Sequence, residues 1–586
     1  MTHSTGEISM FTRLDGAGAS SATPIGRIGL VGTKNHGMKT RLLAMVSILA
    51  CFSVGCGGSS GGSNGSQPFQ VEETTVAEVE AAFKNHTLTC HHLVQAYLDK
   101  IAAFNHSGPA INPIIETNPN ALAIADSLDA AFKQSGPVGP LHCVPTILKD
   151  NNNTGDLLHT RAGSLTMGDF MAAADAFPIA KLRAAGVLIL AKANMDEWAF
   201  GPSGYSSKGG QTLNPYRLDR IPGGSSGGSA VAMSANLGLI STGTDTGGSI
   251  RIPSAFDGVV GLKPTLGLIG RSGIVPASHY LDVIGPITRT VADTATMLGS
   301  MTGVDPDDPE SAASAGHFFT DYTQFLVRDG LKGANVSVFQ SLEIGGETFS
   351  ISGENADVDA TFQRAMDVIQ QHGATVVAPT NLTLAFSSDD FQQVGDALAV
   401  HQFGTEVGEY FLNFAPTAPI QSLADLITAS EALGSNVVKN LAMLQSTVGP
   451  PPTPDQLAAA LATRQTLIDS LNTAMDTAGV DALVFPTVLC PATPLPGVVD
   501  NGYKCTAASP MPLSFGSVFG IETMPLASIA GFPQITVPAG FTSDGLPLAV
   551  SFLGRVWSEP TLIRLAYAFE QATHARRRPS FLAQAD

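Results

Sequence analysis

Two glycine-flanked serines and one lysine are the residues of this chain whose types and positions could carry out hydrolysis. Ser225 lies in the run Pro-Gly-Gly-Ser-Ser-Gly-Gly-Ser, Ser249 ends the run Thr-Asp-Thr-Gly-Gly-Ser, and Lys149 ends the apolar run Val-Pro-Thr-Ile-Leu-Lys. A serine hydroxyl is a weak nucleophile until a neighbouring base takes its proton. Lysine is a base only when burial or nearby positive charge lowers its pKa, and the apolar run predicts that Lys149 is buried. The three residues predict a hydrolytic site in which lysine is the base and one serine relays the proton.

The glycine-rich turn before Ser249 could supply backbone N–H groups to a developing oxyanion. Thr246, Gly247 and Gly248 offer consecutive N–H groups with little side-chain obstruction, because glycine lets the backbone curl around an anion. Fixed donors of this kind stabilise the negative charge on a carbonyl oxygen that is under attack. We expect Asp245 to be buried and to orient this turn, with Arg251 as its charge partner, rather than to act as a catalytic acid.

The glycine–serine run 223–229 has three other interpretations. A flexible linker has this composition, but here an apolar run follows at once. A phosphate-binding loop would end in Lys-Ser or Lys-Thr, which is absent from this run. A nucleophile elbow would make Ser226 the nucleophile and should follow a buried strand, whereas 214–220 is rich in turn residues.

Several stretches resemble, in the same order, the motifs of the amidase signature family, and the resemblance covers about 75–581. They are the stretch 223–265 with Gly-Gly-Ser-Ile-Arg-Ile-Pro-Ser and Gly-Leu-Lys-Pro-Thr within it, the lysine motif 139–151, and the downstream stretches 285–286 and 289–293. The resemblance implies a Ser–cis-Ser–Lys triad. In it Ser249 is the nucleophile, Ser225 is the bridging serine in a cis peptide, and Lys149 is the general base. The C-terminal stretches 557–560 and 565–570 are similar to bacterial peptide amidases in particular.

The resemblance also implies roles for residues around the triad. The backbone of Ala199, Phe200 and Gly201 is expected to line the acyl pocket. Ser226 either hydrogen-bonds Lys149 or only caps the next helix, and Trp198 belongs either to the pocket or to the core. No metal or other cofactor is expected, since the thirteen histidines show no metal-ligand spacing and no paired C-x-x-C occurs.

The expected fold is α/β, a single large domain with a mixed, mostly parallel twisted sheet covered by helices on both faces. Strand and helix patterns alternate at 334–339, 357–371 and 373–377, which favours parallel pairing. A capping box at Thr75 predicts the first helix of the folded domain. Helical stretches at 390–414 and 454–478 are expected to cover the mouth of the active site.

The N-terminal segment is expected to be processed rather than folded. We expect 1–37 to be untranslated or disordered, 38–56 to be a signal peptide, 57–67 to be a Gly/Ser-rich tether, and 68–586 to be the amidase domain. Cys56, before the tether, resembles a lipoprotein cleavage site, which predicts attachment to the bacterial cell envelope through a lipidated cysteine. Ser53 departs from that pattern, and plain secretion is the alternative.

Cysteine usage and charge add two expectations. Of the six cysteines, Cys51 and Cys56 fall in the signal segment, and we expect Cys490 and Cys505 to pair across a proline-rich loop. Cys143 lies near Lys149 and is a rival nucleophile, but nothing nearby activates it. The net charge of −19 argues against nucleic-acid binding.

The predicted function is hydrolysis of a carboxamide C–N bond through an acyl-enzyme, with release of ammonia or an amine. A peptide amide or a related small amide is the expected substrate, on the resemblance alone. One alternative is the glutamine-hydrolysing component of an amidotransferase, which would be cytoplasmic, so the predicted signal argues against it. The other is a non-catalytic binding lipoprotein of the same fold, against which the intact triad argues.

Overall fold

The computed structural model describes residues 69–352, 354–503, 505 and 524–584. These residues belong to one compact unit. The predicted segments 1–37, 38–56 and 57–67, with Cys51 and Cys56, lie outside the described residues. No helix of the described part is both long and apolar enough to cross a membrane.

The helices alternate with strands along most of the described chain. The α-helices are α1 Val76–Lys84, α2 Cys90–Phe104, α3 Ala121–Ser135, α4 Phe177–Ala184, α5 Gly227–Ser234, α6 Arg251–Phe256, α7 Val291–Met301, α8 Ala356–Gln371, α9 Ser388–Gly395, α10 Phe403–Phe414, α11 Leu423–Leu433, α12 Leu441–Ser446, α13 Pro454–Ala478, α14 Met524–Ala530 and α15 Glu559–Thr573. The strands are β1 Ile114–Thr117, β2 Pro145–Lys149, β3 Leu188–Ala193, β4 Tyr205–Ser206, β5 Gly210–Gln211, β6 Ile240–Asp245, β7 Val260–Lys263, β8 Val283–Thr288, β9 Asn335–Ile344, β10 Glu347–Ser350, β11 Thr375–Leu384, β12 Ala482–Pro486, β13 Gln534–Phe541 and β14 Pro547–Leu553.

One twelve-stranded sheet runs through the domain in the order β1-β3-β2-β6-β8-β7-β13-β14-β12-β9-β10, with β11 also paired to β9. The predicted α/β class and mixed sheet are confirmed. Parallel pairing is found at β3–β2–β6 and at β12–β9–β11. The other pairs are antiparallel, a larger share than predicted, partly because β13 and β14 form a hairpin closed by a tight turn at 542–546. Alternation of strands and helices does not reveal such hairpins.

Both faces of the sheet are covered, as predicted. Ala482 and Val484 of β12 belong to one hydrophobic cluster, to which α8 and α15 contribute. Leu483 and Phe485 belong to a second cluster with residues of α13 and α14. Because successive side chains of a strand point to opposite faces, these two clusters lie on opposite sides of the sheet.

The local signals for several elements are confirmed. Thr75 forms the predicted capping box with Glu78 at the start of α1. The predicted helical stretch 390–414 is divided, because a π-helical turn at Asp396–Val400 separates α9 from α10. The long helix predicted at 454–478 is α13.

Two disulfide bonds are present in the described residues. The expected pair Cys490–Cys505 is one of them. The other joins Cys90 to Cys143 across 53 residues and was not predicted. This bond excludes Cys143 as a nucleophile, in agreement with the sequence-based view that nothing activates it, because its sulfur is bonded and the residue is fully buried.

Candidate active site

The site forms where the adjacent parallel strands β2 and β6 end. Lys149 is the last residue of β2, and Thr244 and Asp245 end β6. The carboxyl ends of parallel neighbours meet at one edge of a sheet, so the two strands bring these polar side chains together. Ser225 precedes α5, and Ser249 lies in the turn between β6 and α6.

The lysine side chain is enclosed by hydrogen-bond partners. Lys149 has no solvent exposure, and its Nζ lies 2.7 Å from Ser225 Oγ. The same Nζ lies 2.8 Å from Thr244 Oγ1 and 3.3 Å from the Thr244 carbonyl oxygen. Burial lowers the pKa of Lys149 to about 7, although the carboxylates of Asp196, Asp245 and Asp282 oppose that shift. Near neutral pH a large share of the lysine is therefore in the base form.

Thr244 and Asn151 belong to this group of side chains and were missed by the sequence analysis. Thr244 Oγ1 accepts a hydrogen bond of 3.1 Å from Asn151 Nδ2, in addition to its contact with Lys149. The available signal was their position: Asn151 lies two residues after the lysine, and Thr244 lies directly before Asp245. Only the pairing of β2 with β6 shows that they meet.

The two serine loops are joined through Ser226. Its backbone N–H donates to the carbonyl oxygen of Ser249 at 3.1 Å, and the Gly224–Ser225 peptide before it is cis. The Ser226 hydroxyl donates to the Thr244 carbonyl at 3.2 Å and accepts from the Thr244 N–H at 3.3 Å. Ser226 stands at the N-cap position of α5, but its hydroxyl makes no capping hydrogen bond and does not reach Lys149, so neither expected role of the side chain is found. It instead holds the backbone of Thr244.

Asp245 and Arg251 organise the turn that contains Ser249. Asp245 accepts hydrogen bonds from the N–H groups of Gly248 at 2.8 Å and Ile250 at 2.9 Å. Arg251 donates to both carboxylate oxygens of Asp245, at 3.0 and 2.9 Å, and neither side chain is exposed. Burial acts to raise the pKa of Asp245, but the Arg251 guanidinium holds it well below its usual range. The carboxylate stays ionised and fixes the turn.

This arrangement changes the set of candidate oxyanion donors. The Gly248 N–H is bound to Asp245, so its expected role as an oxyanion donor is wrong. The N–H groups of Thr246, Gly247 and Ser249 have no hydrogen-bond partner among the described residues. Ser249 is half-buried, and its hydroxyl makes no hydrogen bond, to Ser225 or to any other residue of the described part.

A cavity of about 750 Å³ opens next to these groups. Its lining includes Asn151, Thr244 and Thr246 together with Ala199, one of the three expected pocket residues. The other two do not line it. Phe200 packs edge-on against Phe403 with ring centroids 4.9 Å apart, and Gly201 lies against Asp196. Trp198 is a core residue, 1% exposed and in the same cluster as Phe403.

The rest of the cavity wall consists of the segment 271–284, the segment 307–310 and α10. Arg271 pairs with Asp308, and His279 pairs with Glu406 of α10. Asp282 accepts a hydrogen bond of 2.6 Å from Thr246 Oγ1, so the wall contacts the candidate oxyanion turn. Helix α10 covers the site as expected, whereas α13 contributes no lining residue and packs in the second cluster. Within the described chain no cluster of His, Cys, Asp and Glu could hold a metal ion.

Known proteins resemble this chain over most of its length. Residues 92–563 match the family described as Amidase. A probable amidase of Arabidopsis thaliana is 32% identical over 534 residues, which cover 88% of this chain and 93% of that protein. A glutamyl-tRNA(Gln) amidotransferase component of Halorhodospira halophila is 34% identical over 506 residues, which cover 86% of this chain and 98% of that protein.

A solved structure shows the same architecture. The native peptide amidase from Stenotrophomonas maltophilia is 36% identical and superposes with a TM-score of 0.78. The match covers 88% of this chain and 100% of that one. The chain belongs to the amidase signature family and is a hydrolase that acts on the C–N bonds of amides.

Proposed function

We propose that this amidase works through a Ser–cis-Ser–Lys triad. Ser249 Oγ attacks the amide carbonyl while its proton passes to Ser225 Oγ, and the Ser225 proton passes to Lys149 Nζ. The same route returns a proton to the leaving nitrogen, so that ammonia or an amine departs and an acyl ester remains on Ser249. Water then enters by the same relay and releases the carboxylic acid.

The observation that carries this proposal is the 2.7 Å contact between Lys149 Nζ and Ser225 Oγ inside the protein. A neutral lysine has two N–H groups and one lone pair. The Thr244 carbonyl can only accept, and Thr244 Oγ1 has a second lone pair beside the one that accepts from Asn151, so both can take the N–H groups of Lys149. The lone pair is left to face Ser225. This geometry supports Ser225 as the group that gives its proton to the lysine.

The proposed oxyanion hole consists of the backbone N–H groups of Thr246, Gly247 and Ser249. The Asp245–Arg251 ion pair fixes the turn through the Gly248 N–H. The three donor N–H groups therefore need no rearrangement when charge develops on the substrate. Loss of one such donor in other hydrolases costs about 2.7–4 kcal/mol of transition-state stabilisation.

The proposed substrate is the C-terminal amide of a peptide. Support comes from the likeness to the Stenotrophomonas maltophilia peptide amidase. A cavity of about 750 Å³ falls within the range of ligand pockets and has room for more than a short aliphatic amide. The test is ammonia release from a peptide amide, a short aliphatic amide, an aryl amide and free glutamine. The peptide amide should react fastest.

Matched variants make this assay decisive. Ser249→Ala and Lys149→Met should abolish release, whereas Ser229→Ala should retain it. Ser229 lies in the same glycine–serine run, and its buried hydroxyl has no hydrogen-bond partner in the described structure. Equal release by wild type and Ser249→Ala would exclude Ser249 as the nucleophile.

Glutamine hydrolysis within an amidotransferase is the second candidate function. The 34% identity to the Halorhodospira halophila amidotransferase component favours it. Preference for free glutamine in the same assay would support it over peptide-amide hydrolysis. A catalytically inactive binding lipoprotein would release ammonia from no amide and would not react with a serine-directed probe.

We also propose that the protein is exported, either to the cell envelope through a lipidated Cys56 or into the medium. The two disulfides support an oxidising compartment. Fractionation of cells that produce the full chain or its Cys56→Ser variant tests this. Membrane association lost in the variant supports lipidation, and a cytoplasmic protein with reduced cysteines would contradict export.

A further inference from the structure

A buried aspartate outside the proposed triad connects the bridging serine to the loop 199–204 at the cavity. Asp196 is 2% exposed and lies between β3 and this loop. Its backbone N–H donates to the carbonyl oxygen of Ser225 at 3.1 Å, and its own carbonyl accepts from the Ala199 N–H at 2.9 Å. Since Ala199 lines the cavity, one residue contacts the relay on one side and the substrate wall on the other.

The carboxylate of Asp196 holds the far end of the same loop. Its Oδ1 accepts from the N–H and the hydroxyl of Ser203, both at 2.9 Å. The Gly204 N–H donates to both carboxylate oxygens, at 3.0 and 2.9 Å. The loop is therefore fixed at Ala199 by the backbone of Asp196 and at Ser203 and Gly204 by its side chain.

The carboxylate also packs directly on the cis peptide before Ser225. A Cβ atom at Gly224 would overlap Asp196 Oδ2, and a Cβ atom at Gly201 would lie 2.8 Å from Oδ1. Gly201 has φ of +140°, which favours glycine. The two glycines let the carboxylate lie against the backbone of both the relay and the loop.

We propose that Asp196 is a positioning residue for catalysis, which holds Ser225 and the loop 199–204 in one geometry and supplies negative charge beside Lys149. This inference rests on the proposed triad. Asp196 touches neither the substrate nor the reacting atoms, so its effect is exerted through the lysine, the bridging serine and the cavity wall.

Electrostatics distinguish this role from simple packing. Three carboxylates act on Lys149: Asp196, Asp245 and Asp282, and Asp196 has the largest effect. Asp245 is ion-paired with Arg251, and Asp282 is hydrogen-bonded to Thr246, Ala277 and Ser278. Burial raises the pKa of Asp196 to about 6, so the carboxylate is ionised where the lysine titrates. Removing its charge should lower the pKa of Lys149.

The test compares Asp196→Asn with Glu197→Gln over the pH range of the amidase assay. Glu197 is an equally buried neighbour, but it bonds Ser164 and Ser207 and is not among the charges that act on Lys149. Asp196→Asn should move the acid limb of kcat/KM to lower pH, because the carboxylate with the largest effect on the pKa of Lys149 is removed. It should also raise KM several-fold. Glu197→Gln should leave the acid limb in place.

An acid limb that coincides in Asp196→Asn and wild type overturns the proposal. If Asp196→Asn does not fold, Ser203→Ala is the second variant. It keeps the charge of Asp196 and removes the hydrogen bond that the Ser203 hydroxyl donates to the carboxylate. That variant should raise KM without moving the acid limb, and an unchanged KM overturns the positioning role. Ser249→Ala in the same assay separates the two ideas, because residual activity there would count against the triad itself.

Discussion

Lys149 Nζ lies 2.7 Å from Ser225 Oγ, and both residues are fully buried. Burial disfavours the charged form of Lys149, so a neutral amine lies beside the Ser225 hydroxyl. In the proposed triad, Thr244 takes the N–H groups of the lysine, and the lone pair is then directed at Ser225. The expected pH dependence of activity and the expected effects of substitutions follow from these contacts around Lys149.

Activity should depend on deprotonation of Lys149. Its pKa is lowered to about 7, so kcat/KM should rise through neutral pH and then level off. Lys149→Arg should be inactive at every pH, because arginine stays protonated. A rate profile over pH 5 to 10 checks this, and undiminished activity well below pH 6 would exclude lysine as the base.

The same titration should appear in the stability of the protein. The folded-state pKa of Lys149 is depressed from 10.5 to about 7, so between these values the unfolded chain binds more protons than the folded one. Stability should therefore rise with pH across that window relative to Lys149→Met. Melting temperatures of both proteins at several pH values measure the difference. Parallel curves would mean that folding does not lower the pKa of Lys149.

Thr244 should orient the lysine through its hydroxyl. Thr244→Val removes Oγ1, the partner 2.8 Å from Nζ, and should lower kcat by about 10-fold or more with little change in KM. Thr244→Ser keeps the hydroxyl and should restore most of the rate. Equal rates for the Val and Ser variants would show that the hydroxyl is unimportant.

Part of this site follows from sequence and part does not. The glycines around Ser225 and Ser249 and the apolar run before Lys149 mark these three residues in the sequence, and the structure brings Lys149 and Ser225 into contact. Thr244 and Asn151 have no distinctive pattern, and they matter only because β2 and β6 are neighbours. The role of Gly248 was misjudged for a similar reason, since a nearby carboxylate takes its N–H.

In the fold, too, features that depend on local sequence were predicted, and features that depend on distant segments were not. The capping box at Thr75 and the long helix α13 depend on local sequence and were predicted. The Cys90–Cys143 bond joins α2 to the segment before β2, and its partners lie 53 residues apart with no local signal. The antiparallel share of the sheet also depends on which distant strands become neighbours.

The two disulfides should differ in how much they stabilise the domain. Loop-closure entropy gives ~4 kcal/mol for a separation of 53 residues and ~3 kcal/mol for 15. Replacing Cys90 and Cys143 by alanine should thus lower the free energy of unfolding more than replacing Cys490 and Cys505. Denaturant unfolding of the two double variants checks the order, and the reverse order would mean that strain or residual structure outweighs loop length.

The cavity should favour amides that carry positive charge. Asp307, Glu310 and Glu409 line it and form no salt bridge with the described residues, whereas Asp308 and Glu406 are paired. Glu409→Gln should lower kcat/KM for Nα-acetyl-lysine amide several-fold and leave the uncharged Nα-acetyl-leucine amide nearly unchanged, and added salt should act in the same direction. Glu347→Gln on β10 is the control, because its side chain is exposed and does not line the cavity. Equal effects on both amides would show that the charge of Glu409 does not determine substrate preference.

The central claim is that Ser249 is the nucleophile and that Lys149 activates it through Ser225. The most direct test is to label the protein with a serine-directed fluorophosphonate and to locate the adduct by fragment-ion mass spectrometry of the peptide that contains both serines. We predict one adduct, on Ser249, formed by wild type and by Ser229→Ala and much more slowly by Ser225→Ala and Lys149→Met. An adduct on Ser225 or Ser226, or labelling of Ser249 at the wild-type rate without Lys149, would contradict the account.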